Sequence, residues 1–206
     1  GGVLGAFFGY FACPPGSEGE AAAREKWEAL LSEYEAVLSS SEYLCGSSMG
    51  PVDALEISLL RLCPDILELS HGWRGSEKCP HVVAWIDRMV EELDWALSGL
   101  AEQAMLVEVA LSGLSEKMPN AVHVTDAAKR AHDALPGVSR ESVMVERLRS
   151  PHVSQPAETD PEVVTLYHGF KHGFLNCIFS CKVRLLCEMC GVRYRLIDID
   201  LSDKPD

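Results

Sequence analysis

Four consecutive residues carry the strongest chemical signal in the chain: Cys177-Ile178-Phe179-Ser180. They fall where a Gly-containing loop, Gly169 to Asn176, leads into a helix predicted from Ile178 to Cys190. A thiol at such a junction faces the unpaired N–H groups and the positive end of the helix dipole. Those fields stabilise a thiolate, and reactive cysteines in such settings have pKa values lowered to about 3.5–7.5. Lys171, His172, Lys182 and Arg184 are close in sequence and add positive charge if they point inward. Ser180 stands where a dithiol motif has its second cysteine. A lone nucleophile of this kind forms mixed disulfides with a small thiol. The competing reading is a small residue that merely fills a helix N-terminus.

A second thiol pair, Cys187-Glu188-Met189-Cys190, has the spacing of a redox pair or half a zinc site. It falls at the C-terminal end of the same predicted helix, where the dipole disfavours a thiolate. With Cys177, Cys181, His168 and His172 the residue types for a zinc cluster are present, but the spacings match no compact zinc pattern. No metal ligands are therefore assigned, and Cys187 and Cys190 are expected to pack with Val183 and Leu186. His71, His81, His168 and His172 have no partner nearby in sequence and read as surface or loop residues.

The elements that must position these groups follow from periodicity. Phe7, Phe8, Tyr10 and Phe11 have helical spacing, and Cys13-Pro14-Pro15-Gly16 stops that helix. Glu20 to Leu38 is amphipathic, with Trp27, Leu30, Leu31, Tyr34 and Leu38 on one face; its glutamates read as a solvated face. Pro51-Val52-Asp53 starts a helix, with Asp53 placed to accept backbone N–H groups, that runs to Cys63-Pro64. A polar loop, His71 to Lys78, precedes a helix opened by Cys79-Pro80. Its buried face is expected to be Val83, Trp85, Ile86, Met89, Val90 and Leu93, with Trp27 and Trp85 as core anchors. Leu100 to Leu114, Thr125 to Ala134 and Arg140 to Arg149 suggest further short helices, and His152 to Pro161 reads as a linker. Val163 to Tyr167 and Tyr194 to Leu201 have strand character. Strand, helix and strand within about 40 residues form a βαβ unit, which favours a parallel pair.

The chain has 206 residues and a formal net charge of −13. Residues 1–100 carry 6 basic and 16 acidic groups, residues 101–161 carry 6 and 9, and residues 162–206 carry 6 of each. Such acidity repels phosphate backbones, so no nucleic-acid partner is expected. The apolar stretch Gly1 to Cys13 is too short to span a bilayer and lacks the basic lead-in of a signal peptide. Eight cysteines would permit disulfides, yet four are scattered among apolar segments; free thiols in a reducing compartment, the cytoplasm, are the expectation.

The tail, from Thr165-Leu166-Tyr167-His168 through Cys177 to Ile199-Asp200-Leu201-Ser202-Asp203-Lys204-Pro205, resembles the start of the thioredoxin-like domain of glutathione transferases. The resemblance is to the cysteine-type branch: omega-class transferases, dehydroascorbate reductases and chloride-channel-like relatives. Cys177, Phe179, Lys182 and Val183 match the branch motif; Ile178 stands in place of its Pro, and Cys181 in place of its Gln. Tyr43-Leu44-Cys45-Gly46, Gly50-Pro51-Val52-Asp53 and Cys79-Pro80 to Trp85 are similar to segments of the family's helical C-terminal domain, with Gly50 in place of a capping Ser or Thr.

The resemblance implies a mainly α fold with a partial α/β unit. Residues 1–100 would be the helical C-terminal-like domain, 101–161 a linker with short helices, and 162–206 a partial thioredoxin-like domain. Because this order is reversed, the chain is expected to be a window across a tandem protein. The implied activity is glutathione-dependent thiol transfer or dehydroascorbate reduction, weak in the fragment itself. Cys177 would be the nucleophile, Phe179 and Lys204 glutathione contacts, and glutathione the co-substrate. The partners would be glutathione and a small electrophile or disulfide, with no membrane span. Transferase-like units would pair within a chain or between two copies. Other readings are a non-catalytic scaffold built from tandem domains and, third, a zinc-binding module.

Overall fold

The computed structural model describes residues 2–93, 100–117, 122–133, 152–154, 160–171, 175–176 and 178–200. The helical part begins with α1 (Gly2–Phe11) and α2 (Glu20–Leu38), which pack against each other. Phe7 stacks on Phe11 with ring centroids 5.7 Å apart and meets Trp27 of α2 edge-on at 6.1 Å. Trp27, Leu31 and Leu38 are the buried positions of α2, and Leu30 and Tyr34 flank them, as the helical period requires.

The helix expected from Pro51 to Cys63-Pro64 is α3 (Pro51–Leu60), and a second helix, α4 (Cys63–His71), follows it where none was expected. Pro64 lies in the first turn of α4, where its missing N–H costs nothing, so the Cys63-Pro64 pair opens a helix as well as closing one. Gly72, at φ 65°, ends α4 in the left-handed conformation, its N–H donating to the Glu68 carbonyl at 2.9 Å. The expected polar loop from His71 to Lys78 therefore begins in a helix end and contains a short turn of helix, α5 (Gly75–Lys78). In α6 (Pro80–Glu92) the buried face is Val82, Trp85, Ile86, Met89 and Val90, with Leu93 just beyond; Val82 takes the inward place expected of Val83.

Two more helices, α7 (Leu100–Lys117) and α8 (Val122–Asp133), pack on each other and on α4. Val107, Leu111, Val124 and Ala127 enter the same apolar core as Trp27, Ile57 and Trp85. The short helix expected over Arg140 to Arg149 lies outside the described residues.

The remaining elements are β1 (Val153–Ser154), β2 (Val164–Lys171), β3 (Leu175–Asn176), α9 (Ile178–Met189) and β4 (Tyr194–Asp200). The sheet order is β1-β4-β2-β3. β2 and β4 are parallel from Val164↔Tyr194 to Phe170↔Asp200, with α9 as their crossover. β3 returns antiparallel on the end of β2. Val153 and Ser154, expected in a linker, add a parallel edge to β4. The fold is thus mainly α with a small α/β unit. α9 packs on β2 with one face and on α3 with another, so Cys181 and Leu185 belong to the core of the helical body.

Candidate functional site

The site suggested by sequence is built on β2, α9 and β4. Two of its three assigned residues, Cys177 and Lys204, lie outside the described residues. Phe179 sits in the first turn of α9, but its side chain also lies outside them. α9 begins at Ile178, the residue that follows Cys177 in sequence.

The described side chains explain how the crossover helix is held. Arg184 and Glu188, one turn apart on α9, are both buried and both meet Tyr194 at the start of β4. Arg184 Nε donates to the Tyr194 hydroxyl at 3.0 Å, and that hydroxyl donates to Glu188. Burial is the main cause that pushes the Tyr194 phenol up from its ordinary value. The other face of α9 does not follow expectation: Val183 is exposed, Cys187 half-buried and Cys190 exposed, so no packed cluster forms there. The inward face of an α-helix is narrow, and Cys181, Arg184, Leu185 and Glu188 already fill it. His168, expected on the surface, is 1% exposed because its position in β2 faces inward. Its Nδ1 lies 3.1 Å from Asp198 Oδ1, on the residue paired with it in the sheet.

Asp53 organises the helical side. It is fully buried, and its carboxylate accepts from the backbone N–H of Leu44 at 2.7 Å, of Cys45 at 3.4 Å and of Gly50 at 2.9 Å. Trp85 Nε1 of α6 donates to it at 2.9 Å. One side chain thus joins the start of α3, the Tyr43–Gly46 turn and α6. The sequence shows the helix start but not Trp85, which lies 32 residues away. Gly50 is explained by space: a Cβ there would lie 2.3 Å from Cys45 Sγ, so the cysteine occupies the room of a capping side chain.

Two glutamates of α2 are more than a solvated face. Glu35 accepts from the N–H groups of His81 at 3.1 Å and Val82 at 2.9 Å, capping α6 from another helix. Glu28 accepts from Trp73 Nε1 at 3.0 Å and from Arg24 at 2.9 Å. Burial pushes both carboxyls up, but these hydrogen bonds outweigh it and hold both below the ordinary value. Between α2 and α6 these residues line a cleft of about 520 Å³ with Cys79. Burial, then the charges of Glu35 and Glu28, push the Cys79 thiol up to about 12, which disfavours its thiolate. The cleft's carboxylates are engaged in holding the fold.

Among the described residues no group of three or more His, Cys, Asp or Glu is placed to hold a metal ion, and no described helix is long and apolar enough to cross a membrane. Seven of the eight cysteines are described, all as free thiols.

Residues 5–92 match the family model described as glutathione S-transferase, C-terminal domain. That segment spans α1 to α6 and includes Asp53, Glu35 and Trp85. No curated protein and no solved structure matches the chain.

Proposed function

We propose that the chain belongs to a cysteine-type glutathione transferase, of the omega or dehydroascorbate-reductase kind, and that Cys177 is its nucleophile. The observation that carries the reading is the pairing of two parts. A segment similar to a transferase C-terminal domain docks through α3 onto the helix that follows Cys177 in a parallel βαβ unit. Phe179 and Lys204 would contact glutathione, by resemblance of the flanking motifs. Free thiols among the described cysteines agree with a reducing compartment such as the cytoplasm.

The chemistry is thiol–disulfide exchange. The Cys177 thiolate attacks the glutathionyl sulfur of a mixed disulfide, and the other sulfur leaves as a thiolate that takes a proton. A second glutathione thiolate then attacks the Cys177 mixed disulfide, releasing glutathione disulfide and regenerating the Cys177 thiolate. With dehydroascorbate, two glutathione molecules supply the two electrons, and the products are ascorbate and glutathione disulfide.

The test is the Cys177→Ser variant of the full-length protein, assayed with glutathione and a small disulfide or dehydroascorbate. Turnover should fall to the uncatalysed rate, and turnover that survives the change would refute the assignment. Ile178, in place of the branch's Pro, favours a second reading: a non-catalytic scaffold of tandem transferase-like domains. A Cys177 thiol titrating near the free value of about 8.5 would support that reading.

A further inference from the structure

We propose that Cys187 and Cys190 form a reversible dithiol–disulfide site at the C-terminal end of α9, oxidised by a low-molecular-weight disulfide of the glutathione type. The two thiols stand apart from the buried ones. Cys63, Cys79 and Cys181 are buried in the core, whereas Cys187 is partly exposed and Cys190 exposed.

The helix end brings the pair together. The Val192 N–H donates to the Cys187 carbonyl at 2.8 Å, and the Gly191 N–H to the Glu188 carbonyl at 3.1 Å. With Gly191 at φ 64°, this is a Schellman turn. It fixes Cys187 on the last full turn and Cys190 at the cap, three residues apart and on one side of the helix. Helical residues at this spacing have Cβ atoms about 5–6 Å apart. A disulfide needs about 3.5–4.5 Å. The difference of about 1.5 Å falls on Cys190, which follows the last helical residue, Met189, and carries no core packing.

The environments divide the roles. Burial, then the charges of Glu188 and Cys190, push the Cys187 thiol up. The helix dipole disfavours a thiolate at both sulfurs, but water reaches the exposed Cys190 and offsets it there, so Cys190 is the attacking thiol and the half-buried Cys187 the resolving one. The Cys190 thiolate attacks one sulfur of the small disulfide, forming a mixed disulfide and expelling one thiolate. Cys187 gives its proton to solvent and attacks the Cys190 sulfur, expelling the second thiolate. Two protein thiols become one disulfide, and one small disulfide becomes two thiols. The site is independent of Cys177.

Trypsin isolates the question, because cleavage after Arg184 and Arg193 gives a peptide, Leu185–Arg193, whose only cysteines are Cys187 and Cys190. The folded chain is exposed to glutathione disulfide, quenched with an alkylating agent, digested and weighed by mass spectrometry. The closed peptide, two hydrogens lighter and restored by dithiothreitol, should be the main product. Cys187→Ser should leave the peptide with one glutathionyl group on Cys190, and Cys190→Ser should slow its modification. Circular dichroism checks that both variants keep their helix content. A peptide that stays fully alkylated, that keeps an unresolved glutathionyl group in the unsubstituted chain, or that cross-links to peptide 172–182 would overturn the proposal.

Discussion

Asp53 is the residue on which most of the helical body's polar order converges. Four N–H groups from three places in the chain end on one buried carboxylate. Asp53→Ala strands those donors and should cost about 3 kcal/mol in urea unfolding. The neighbouring glycine makes a sharper prediction. Gly50→Ser restores a side chain suited to capping, yet it should destabilise, because Cys45 fills that space. The double variant Cys45→Gly/Gly50→Ser should recover part of the loss, and simple additivity would contradict the steric account. His71 gives a pH dependence. Its Nε2 donates to the Cys13 carbonyl at 2.8 Å, its Nδ1 lies 2.7 Å from Ser70 Oγ, and Tyr10, Glu20 and His123 surround it. Burial is the main cause that lowers its pKa; the Cys13 bond opposes it and His123 adds to it. The unfolded chain then binds more protons below about pH 6.5, so this contribution to stability is complete above that value and lost as pH falls through the folded one. His71→Gln should therefore lose less stability than the parent between about pH 7 and pH 5.

At the scale of elements, α9 holds the two parts together. Cys181 and Leu185 reach the helical core, while Arg184 and Glu188 tie the helix to β4. Leu185→Ala should cost ~3 kcal/mol and be felt by α3 as well as the sheet, readable by amide exchange. The elements also show where sequence reasoning works. α2 was legible to its ends because one apolar stripe runs its whole length. α4 was not, because Cys63-Pro64 reads as a stop and Pro is equally at home in a first turn. β1 was not, because two residues on a sheet edge have no periodicity to read. Glu35 looked solvated because its partners are the N–H groups of a helix more than forty residues on. Of the candidate site, the strand–helix–strand frame was legible, and the contact of buried His168 with Asp198 was not, since strand register brings the two together.

At the scale of the molecule, one apolar core runs from Phe7 of α1 to Leu185 of α9. Trp27, Trp73 and Trp85 are buried in the helical core, so their fluorescence reports that core. Unfolding followed by tryptophan fluorescence and by exchange of the β2 and β4 amides should give coincident transitions; separate midpoints would mean that the docking of α9 on α3 is weak. The same continuity would hold the head of α9 in place for chemistry. The central claim is that the Cys177 sulfur is ionised at neutral pH. Its alkylation rate by iodoacetamide, followed against pH on the folded chain by mass spectrometry of peptide 172–182, tests this directly. The account predicts a midpoint at or below about 7.5 that disappears in Cys177→Ser, and a midpoint at or above about 8.5 would contradict it.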